Sequence, residues 1–413
     1  MANHQEFQNT EVISLKGKRM AVVSFSHFPG DPRPRRAAEA FARAGMSIEV
    51  ICLMEEGSSK KEVFEGIHID RIPMTHRRGS KIGYVLRYGL FILIALLKLA
   101  KRSFSQRYHI VHIHNMPDVL VLAALVPKLL GAKVILDLHD PMPELMMAIF
   151  ELPKTSRAVK GMVVLERWSI ATADIVLTVN RTFEKLFSSR SCSAGKVRVI
   201  MNSPDDRIFK MILPQMRNSR LDKKCTPFII MYHGTLVERN GIDLAVGALV
   251  KVQKLIPEAE LRIYGQRTPF LDQVLQRAIE NGLEKSVYYF GPRRLEQLVH
   301  AIADCDVGII PNKRSIFTEL NTPVRIFEYL TLGKPVVAPR APGIQEYFTD
   351  DSLVFFDLGN VEDLSRKLTW VADHPKEVLE ITERGQAICS AYSWDKEKAK
   401  LLKVAGDLVC ARQ

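Results

Sequence analysis

The segment from Phe317 to Ala338, FTELNTPVRIFEYLTLGKPVVA, holds the densest set of residues able to do chemistry. Asn321 and Thr322 are strong helix N-caps, and Pro323 suits a first helical position. The helix is expected to stop at Gly333, with Pro335 opening a buried strand. Its first turn offers unpaired N–H groups and a positive dipole end, which suit a diphosphate. Arg325 adds a full charge there. Glu328 follows three residues later on the same face, farther from the phosphate end. A carboxylate in that place can accept two hydrogen bonds from a ribose diol. Phosphate first and ribose next is the order of groups along a nucleotide. The competing reading is a capped core helix with an internal Arg325–Glu328 ion pair. A carboxylate among Ile326, Phe327, Tyr329, Leu330 and Leu332 is costly without a specific partner, which favours the ligand.

Three other segments offer weaker signals. In Phe228–Leu244, FIIMYHGTLVERNGIDL, a β-branched strand runs into His233-Gly234-Thr235 and a short loop. Gly234 permits close backbone approach to a phosphate, and Arg239 can supply its counter-charge or stand as a solvated loop residue. In Ser24–Arg36, SFSHFPGDPRPRR, a single loop glycine excludes a dinucleotide fingerprint. There Gly30 can bring backbone near a sugar, and Arg33, Arg35 and Arg36 can bind an acceptor phosphate or be solvated. The histidines at strand ends form the last group. His112 and His114 alternate with Ile113 and share one face, and His139 with Asp140 follows the strand Val134–Leu138. Both strand ends are expected to point into a cleft, with core roles for each histidine left open. No compact ligand spacing supports a metal among His112, His114, His139 and Asp140.

Two rounds of strand–helix alternation must position these residues. Candidate strands in the first half are Arg19–Ser24, Ser47–Leu53, Ile67–Ile72, His109–His114, Lys133–Leu138, Asp174–Val179 and Lys196–Ile200. The pattern restarts with Phe228–His233, Glu260–Tyr264, Ser286–Phe290, Asp306–Ile310, Pro335–Ala338 and Leu353–Phe356. Helices lie between, among them Arg35–Ala44, Asp118–Leu130 and Pro323–Leu332, and the chain ends in Val361–Asp373, Glu377–Ser390 and Asp395–Val409. The fold class is α/β: two Rossmann-like doubly wound domains facing a central cleft, where open sheets bind ligands at their carboxyl ends. The expected division is a flexible N-terminus over 1–17, a first domain over 18–205, a second over 206–393, and a terminal helix over 394–413. A polar, basic linker is expected from Ser203 to Thr226.

The 413 residues are too many for one compact domain, and their hydrophobic share of 47% supplies two cores. The net charge of +12 is uneven: residues 1–205 hold 29 Lys and Arg against 19 Asp and Glu, and residues 206–413 hold 29 against 27. From Arg71 to Pro117 no acid occurs, while Arg71, Arg77, Arg78, Lys81, Arg87, Lys98, Lys101, Arg102 and Arg107 are basic. The first half is therefore expected to meet an anionic partner. Within that stretch, Tyr84–Arg102 reads YVLRYGLFILIALLKLAKR; its uncharged run, Tyr88 to Leu97, is about half the ~20 residues a membrane span needs. It fits a buried helix or a helix lying in an anionic membrane interface through 71–107, readings that are compatible if only one side is exposed. Too few aromatics interleave with the basic residues for nucleic-acid binding. Six scattered cysteines without a paired motif, and no apolar stretch after a basic start, point to a cytoplasmic protein.

These residues resemble the glycosyltransferase family numbered four, whose fold is called GT-B, over about residues 18 to 405. The resemblance rests on SFSHFPGDPRPRRAAEAFARAG, HIHNMPD, LDLHDPMPE, YHGTLVERNGIDLA, ADCDVGIIPNK and, most specifically, TPVRIFEYLTLGKPVVA. It implies a retaining, metal-independent hexosyl transfer from a UDP- or GDP-type sugar without a resident cofactor. The donor would sit mainly in the second domain and the acceptor in the first. Glu328 would bind the ribose; Asn321, Thr322, Pro323 and Arg325 would face the diphosphate with Gly234 and Thr235. Gly30 and His139 would line the sugar and acceptor side. The last helix would cross back to the first domain. Where many members carry a sugar-contacting Glu, this chain has Leu320 with Glu319 beside it. Where they carry Arg and Lys around the second segment's loop, it has Thr235 and Asn240, with Arg239 one residue off.

Taken together, His139, Glu319 and Arg239 are the expected catalytic group. Arg33, Arg36, His114 and Asp140 are expected on the acceptor side. The acceptor is expected to be a lipid-linked sugar or glycan in surface polysaccharide assembly. A catalytically silent subunit that positions a partner transferase, or a nucleotide-sugar epimerase, are the alternatives.

Overall fold

The structure is a computed structural model and describes residues 15–74, 81–214 and 227–410. The expectations for residues 1–14, for Arg77 and Arg78, for linker residues 215–226, and for the side chains of Lys81 and Tyr84 lie outside the described residues.

The first half alternates strand and helix as β1 (Arg19–His27), α1 (Pro32–Arg43), β2 (Ser47–Leu53), β3 (Lys61–Phe64), β4 (Ile67–Ile72), α2 (Lys81–Ser105) and β5 (Ile110–His114). It continues with a helical turn at Asp118–Ala124, then α3 (Leu125–Leu129), β6 (Lys133–Asp137), α4 (Met142–Phe150), α5 (Arg157–Thr172), β7 (Ile175–Thr178), α6 (Arg181–Arg190) and β8 (Val197–Val199). Across the sheet the order is β3-β4-β2-β1-β5-β6-β7-β8. Every pair is parallel except β3 with β4. The order reverses between β1 and β5, which opens a crevice at their carboxyl ends. The short edge strand β3 is absent from the sequence reading. Its KEVF carries two charges and its Val63 is exposed, so no buried run announces it.

One face of this sheet is covered by α2, α4, α5 and α6, which contribute Phe91, Leu99, Leu145, Ile170, Phe183 and Phe187 to a single core. The other face is covered by α1 and by the last helix of the chain. Buried strands read as continuous apolar runs because both faces are covered. Gly45 and Gly131 take positive φ just past α1 and α3, where the sequence places helix stops.

The second half gives β9 (Phe228–His233), α7 (Ile242–Val252), β10 (Ala259–Tyr264), α8 (Pro269–Glu280), β11 (Val287–Tyr289), α9 (Leu295–Ala303) and β12 (Val307–Ile309). It ends with α10 (Ile316–Leu320), α11 (Val324–Thr331), β13 (Val336–Pro339), α12 (Pro342–Gln345), β14 (Val354–Phe356), α13 (Val361–Asp373), α14 (Pro375–Ala391) and α15 (Trp394–Cys410). The order β11-β10-β9-β12-β13-β14 is parallel throughout and reverses at β9. All six strands fall where the sequence places them, within a residue or two. Met201, just ahead of the expected linker, and Phe209, near its start, already pack in the second domain's core.

Several contacts among the described residues join the domains. Helix α15 carries Trp394, Leu401 and Ala405 into the first domain's core, and Glu397 accepts from the Met201 N–H at 2.8 Å. Phe317 of α10 is buried in the first domain's core, with Leu320 packed against it. Asn180, the N-cap of α6, donates to the Leu320 carbonyl at 2.9 Å and to Thr322 Oγ1 at 3.0 Å.

Candidate active site

The carboxyl end of β9 and the start of α11 meet at the second domain's switch point. Gly234 follows β9 with φ of +127°, a conformation for glycine alone. A Cβ there would stand 3.1 Å from Nη1 and 3.3 Å from Cδ of Arg325. Arg325 donates to the His233 carbonyl at 2.8 Å and stacks over the Tyr232 ring at 4.6 Å. Its guanidinium is thus held against the β9 turn. The Gly234 N–H donates to the Tyr264 carbonyl at 3.0 Å, so its part in holding an anion is steric. Gly241 takes φ of +66° beside Pro311, whose carbonyl oxygen a Cβ would approach to 1.8 Å. That contact locks the loop between β9 and α7.

The start of α11 differs from the sequence expectation by one residue. Pro323 is the N-cap residue, and the side chains of Asn321 and Thr322 do not cap the helix. Asn321 instead closes α10, and Thr322 Oγ1 donates to the Gly343 carbonyl at 2.5 Å. This ties the segment to α12 and leaves the first turn of α11 without a side-chain cap.

Glu328 lies one turn inside α11 and is 8% exposed. Its Oε2 is 3.4 Å from His233 Nε2, a contact without hydrogen-bond geometry. Burial pushes the Glu328 carboxyl up to about 7, against the pull of Arg325 and Arg36. Burial and the neighbouring Arg325 hold His233 well below the usual imidazole range, so it is neutral. The carboxylate lacks a full counter-ion, and its oxygens remain available to hydroxyl donors.

The first domain faces this site with mixed outcomes for the residues read from sequence. His139 donates its backbone N–H to Asn115 Oδ1 at 3.2 Å, and its Nδ1 is buried without a hydrogen-bond partner among the described residues. Asp140 beside it is half-buried, and burial raises its carboxyl against the pull of His139 and then Arg239. Arg239 belongs to the second domain, so Asp140 and Arg239 face each other across the cleft. Arg239 also lies over the Phe317 ring at 5.9 Å. Gly30 is exposed in the loop after β1, and Thr235 is exposed after Gly234.

Four expectations need correction. Arg33 is not on the acceptor side. It is buried, holds both oxygens of Asp137 at 2.9–3.1 Å and donates twice to the Ile200 carbonyl. Arg36 is also buried; it donates to Asn202 Oδ1 and the Pro32 carbonyl and stacks on Trp394 at 5.1 Å. Its charge still reaches Glu328, but it is no free phosphate clamp. His112 and His114 do not open into the cleft. Both are fully buried, with ring centroids 4.1 Å apart and His112 edge-on to Phe41. Glu319, half-buried, pairs with exposed Arg314 at 2.8 Å, a surface ion pair that water weakens.

No metal is expected from the sequence, yet His112 and His114 meet a third group that the sequence reading did not include, Asp137. His112, His114 and Asp137 offer three ligand atoms within 4.8 Å of one another. Asp137, however, already carries the Arg33 fork, and that cation beside the cluster opposes a second one. The donor set therefore does not fit a metal ion well.

Sequence reasoning missed Asp137, Asn180 and Glu346. Glu346 accepts from the Arg181 N–H at 2.9 Å and from Thr182 Oγ1 at 2.5 Å, across the domain boundary. Asn180 carries an N-cap signal, but its second role depends on residues 140 positions away. No local pattern encodes that.

Residues 31–203 match the family described as "Glycosyl transferase 4-like domain" and residues 217–387 that described as "Glycosyl transferases group 1". The sulfoquinovosyl transferase SQD2 of Arabidopsis thaliana is 24% identical over 302 residues, 70% of this chain. The chain spans 54% of that protein's length. Among solved structures, the sucrose-phosphate synthase of Thermosynechococcus elongatus superposes with a TM-score of 0.76 at 16% identity, covering 95% of this chain and 100% of that one. The Anabaena protein HepE in complex with UDP gives 0.69 at 15% identity, covering 94% and 100%. At these identities the structural matches establish the shared fold.

Proposed function

The chain belongs to the family-four glycosyltransferases of GT-B fold, and on that footing we propose that it transfers a hexosyl group with retention from a UDP- or GDP-type donor. The carrying observation is the Glu328 carboxylate, nearly buried and without a full counter-ion, one turn behind an uncapped helix start where Arg325 is fixed. A nucleoside diphosphate matches that order: ribose hydroxyls to Glu328, diphosphate to the start of α11 and Arg325. The solved complex of HepE with UDP supports the nucleotide class.

Arg325 and, from the facing loop, Arg239 stabilise charge on the departing diphosphate. The acceptor hydroxyl attacks the face the nucleotide leaves, with the departing phosphate oxygen taking its proton, so no side chain need act as nucleophile. His139 and Asp140 at the end of β6 stand on the acceptor side. The donor itself brings the nucleotide; no resident cofactor or metal enters this scheme.

The acceptor is a lipid-linked sugar or glycan met at a membrane surface, in surface polysaccharide assembly. This part rests on α2. Leu86, Leu90, Leu93 and Leu97 form an exposed stripe, while Phe91, Ala95 and Leu99 bury the opposite one. No helix among the described residues is long and apolar enough to cross a membrane, so α2 would lie in the interface. The acid-free basic run is partly neutralised in three dimensions. Lys98 and Arg102 pair with Asp70, Arg102 also with Glu49, and Arg71 pairs with Glu62. Lys101 and Arg107 stay exposed beside the stripe.

The test is incubation of the protein with UDP- and GDP-hexoses and a lipid-linked acceptor, with the anomeric configuration of the product read by NMR. A product of the donor's own configuration is expected. An inverted product would overturn the retaining assignment, and free sugar without an acceptor requirement would overturn transfer.

A further inference from the structure

The layer that carries α2 has a second outward apolar stripe. On α5, Val164, Leu165 and Trp168 are exposed, and Gly161 continues their line toward the start of the helix. The spacing 161, 164, 165, 168 is one helical face. A soluble first domain gains nothing from exposing Trp168 and Leu165 on a helix whose inner face already supplies Val159, Ser169 and Ile170 to the interior.

Charge says what covers this face. The exposed charged residues of α5 are Arg157, Lys160 and Arg167; its one acid, Glu166, is fully buried under Arg190, which also holds Glu144. Glu151, before α5, is the exposed acid nearby. A stripe of aliphatic and indole side chains flanked by cations, without an acid on the same helix face, complements an anionic lipid surface. A protein partner of ordinary mixed charge would not require that one-sidedness.

Both stripes stand on the same side of the first sheet. Helices α2 and α5 flank the Asp118–Ala124 turn, and both bury their inner faces in one core. We propose that α5 is a second lipid-docking element, so that α2 and α5 together seat the first domain on an anionic bilayer through its whole helical layer. This rests on the membrane reading of α2 and goes beyond it by fixing orientation. One helix leaves the domain free to roll about its axis; two separated helices hold the cleft at a set height and angle to the bilayer.

Trp168 supplies the test. Of the three tryptophans, Trp370 stacks on His374 in the second domain and Trp394 is buried beside Arg36, leaving Trp168 as the exposed one. The full chain is mixed with vesicles of phosphatidylcholine and phosphatidylglycerol carrying chain-brominated lipid. Cosedimentation and tryptophan emission are read together. The expected result is sedimentation with anionic vesicles, with quenching that disappears in Trp168→Phe. Val164→Asp with Leu165→Asp is expected to weaken vesicle binding at least about tenfold while leaving nucleotide-induced thermal stabilisation unchanged. Sedimentation without quenching of Trp168 would overturn the role of α5 and leave α2 docking intact. No sedimentation with any vesicle would overturn the membrane reading as a whole. A stable dimer in solution that loses its contact in the aspartate variant would assign the face to a second copy of the chain instead.

Discussion

The carboxylate of Glu328 stands 3.4 Å from the Nε2 of a neutral His233, and Arg325 of the same helix is turned to the His233 backbone carbonyl. One histidine residue thus links the anion-binding and hydroxyl-binding halves of the proposed donor site. Burial lifts the Glu328 carboxyl from its ordinary 4.5 to about 7. The unfolded chain loses that proton first, so the free protein becomes less stable as pH rises from about 4.5 to about 7. The full effect is of order 3 kcal/mol. Denaturant titrations of wild type and Glu328→Gln should converge at low pH and diverge above it. Ribose hydroxyls donate to an ionised carboxylate, so nucleotide affinity should rise with pH across the same window in wild type and stay flat in the variant.

Gly234→Ala is expected to remove donor binding while the fold survives. The new Cβ meets Arg325 Nη1 at 3.1 Å and must adopt φ of +127°. The guanidinium has to swing away from His233. A calorimetric titration with nucleotide should show a loss of at least about tenfold, since a charge-assisted contact contributes about 1.5–3 kcal/mol. Unchanged affinity would mean Arg325 does not face the phosphate.

The Arg33–Asp137 fork predicts the opposite pattern. Arg33→Ala leaves Asp137 buried with a charge and no fork, which costs about 3–5 kcal/mol of stability. Urea denaturation should report that loss. Nucleotide affinity of the folded fraction should stay within about threefold of wild type, since Arg33 lies outside the proposed donor site.

How much of this was legible in the sequence follows from where the determining contacts lie. The strands of both sheets, the charged edge strand β3 excepted, were readable because buried parallel strands such as FIIMYH carry their own apolar signature. The placing of Arg325 and Glu328 on one helix was readable because they sit three apart in a periodic segment. The roles of Arg33, Arg36, His112 and His114 were not. Their fates depend on Asp137, Asn202, Trp394 and Phe41, and residue type alone cannot tell a cleft histidine from one beneath the sheet. The α11 cap was misplaced for the same reason: Gly343 and Asn180 claim the Thr322 hydroxyl that local propensity assigns to the helix start. The basic excess of α2 was overstated because Asp70 and Glu49 come from strands beside it in space.

Asn180 offers a prediction about coupling between domains. Its amide holds both Leu320 and Thr322, immediately ahead of α11. Asn180→Ala removes two hydrogen bonds worth about 1 kcal/mol each. It also removes the α6 cap, where Asn180 Oδ1 accepts from the Phe183 N–H, so stability will fall. Thr322→Val separates the effects, because it leaves that cap intact. Thr322→Val also loses the bond to the Gly343 carbonyl, so a small fall in melting temperature is expected, and in steady-state kinetics KM for the donor should rise several-fold beside it. A lowered melting temperature with an unchanged KM would confine the contact to structure.

The central claim is a nucleotide-sugar site built around Glu328, and its most direct measurement is calorimetric titration of UDP, GDP and ADP into wild type and Glu328→Ala. The account predicts saturable binding of UDP or GDP to wild type, weakened at least about a hundredfold in the variant, because a nearly buried carboxylate accepting two hydroxyls contributes about 3 kcal/mol or more. Binding of equal strength to both proteins would contradict the ribose assignment. No binding of any nucleotide to wild type would contradict the donor site itself and leave a silent subunit of a partner transferase as the reading to pursue.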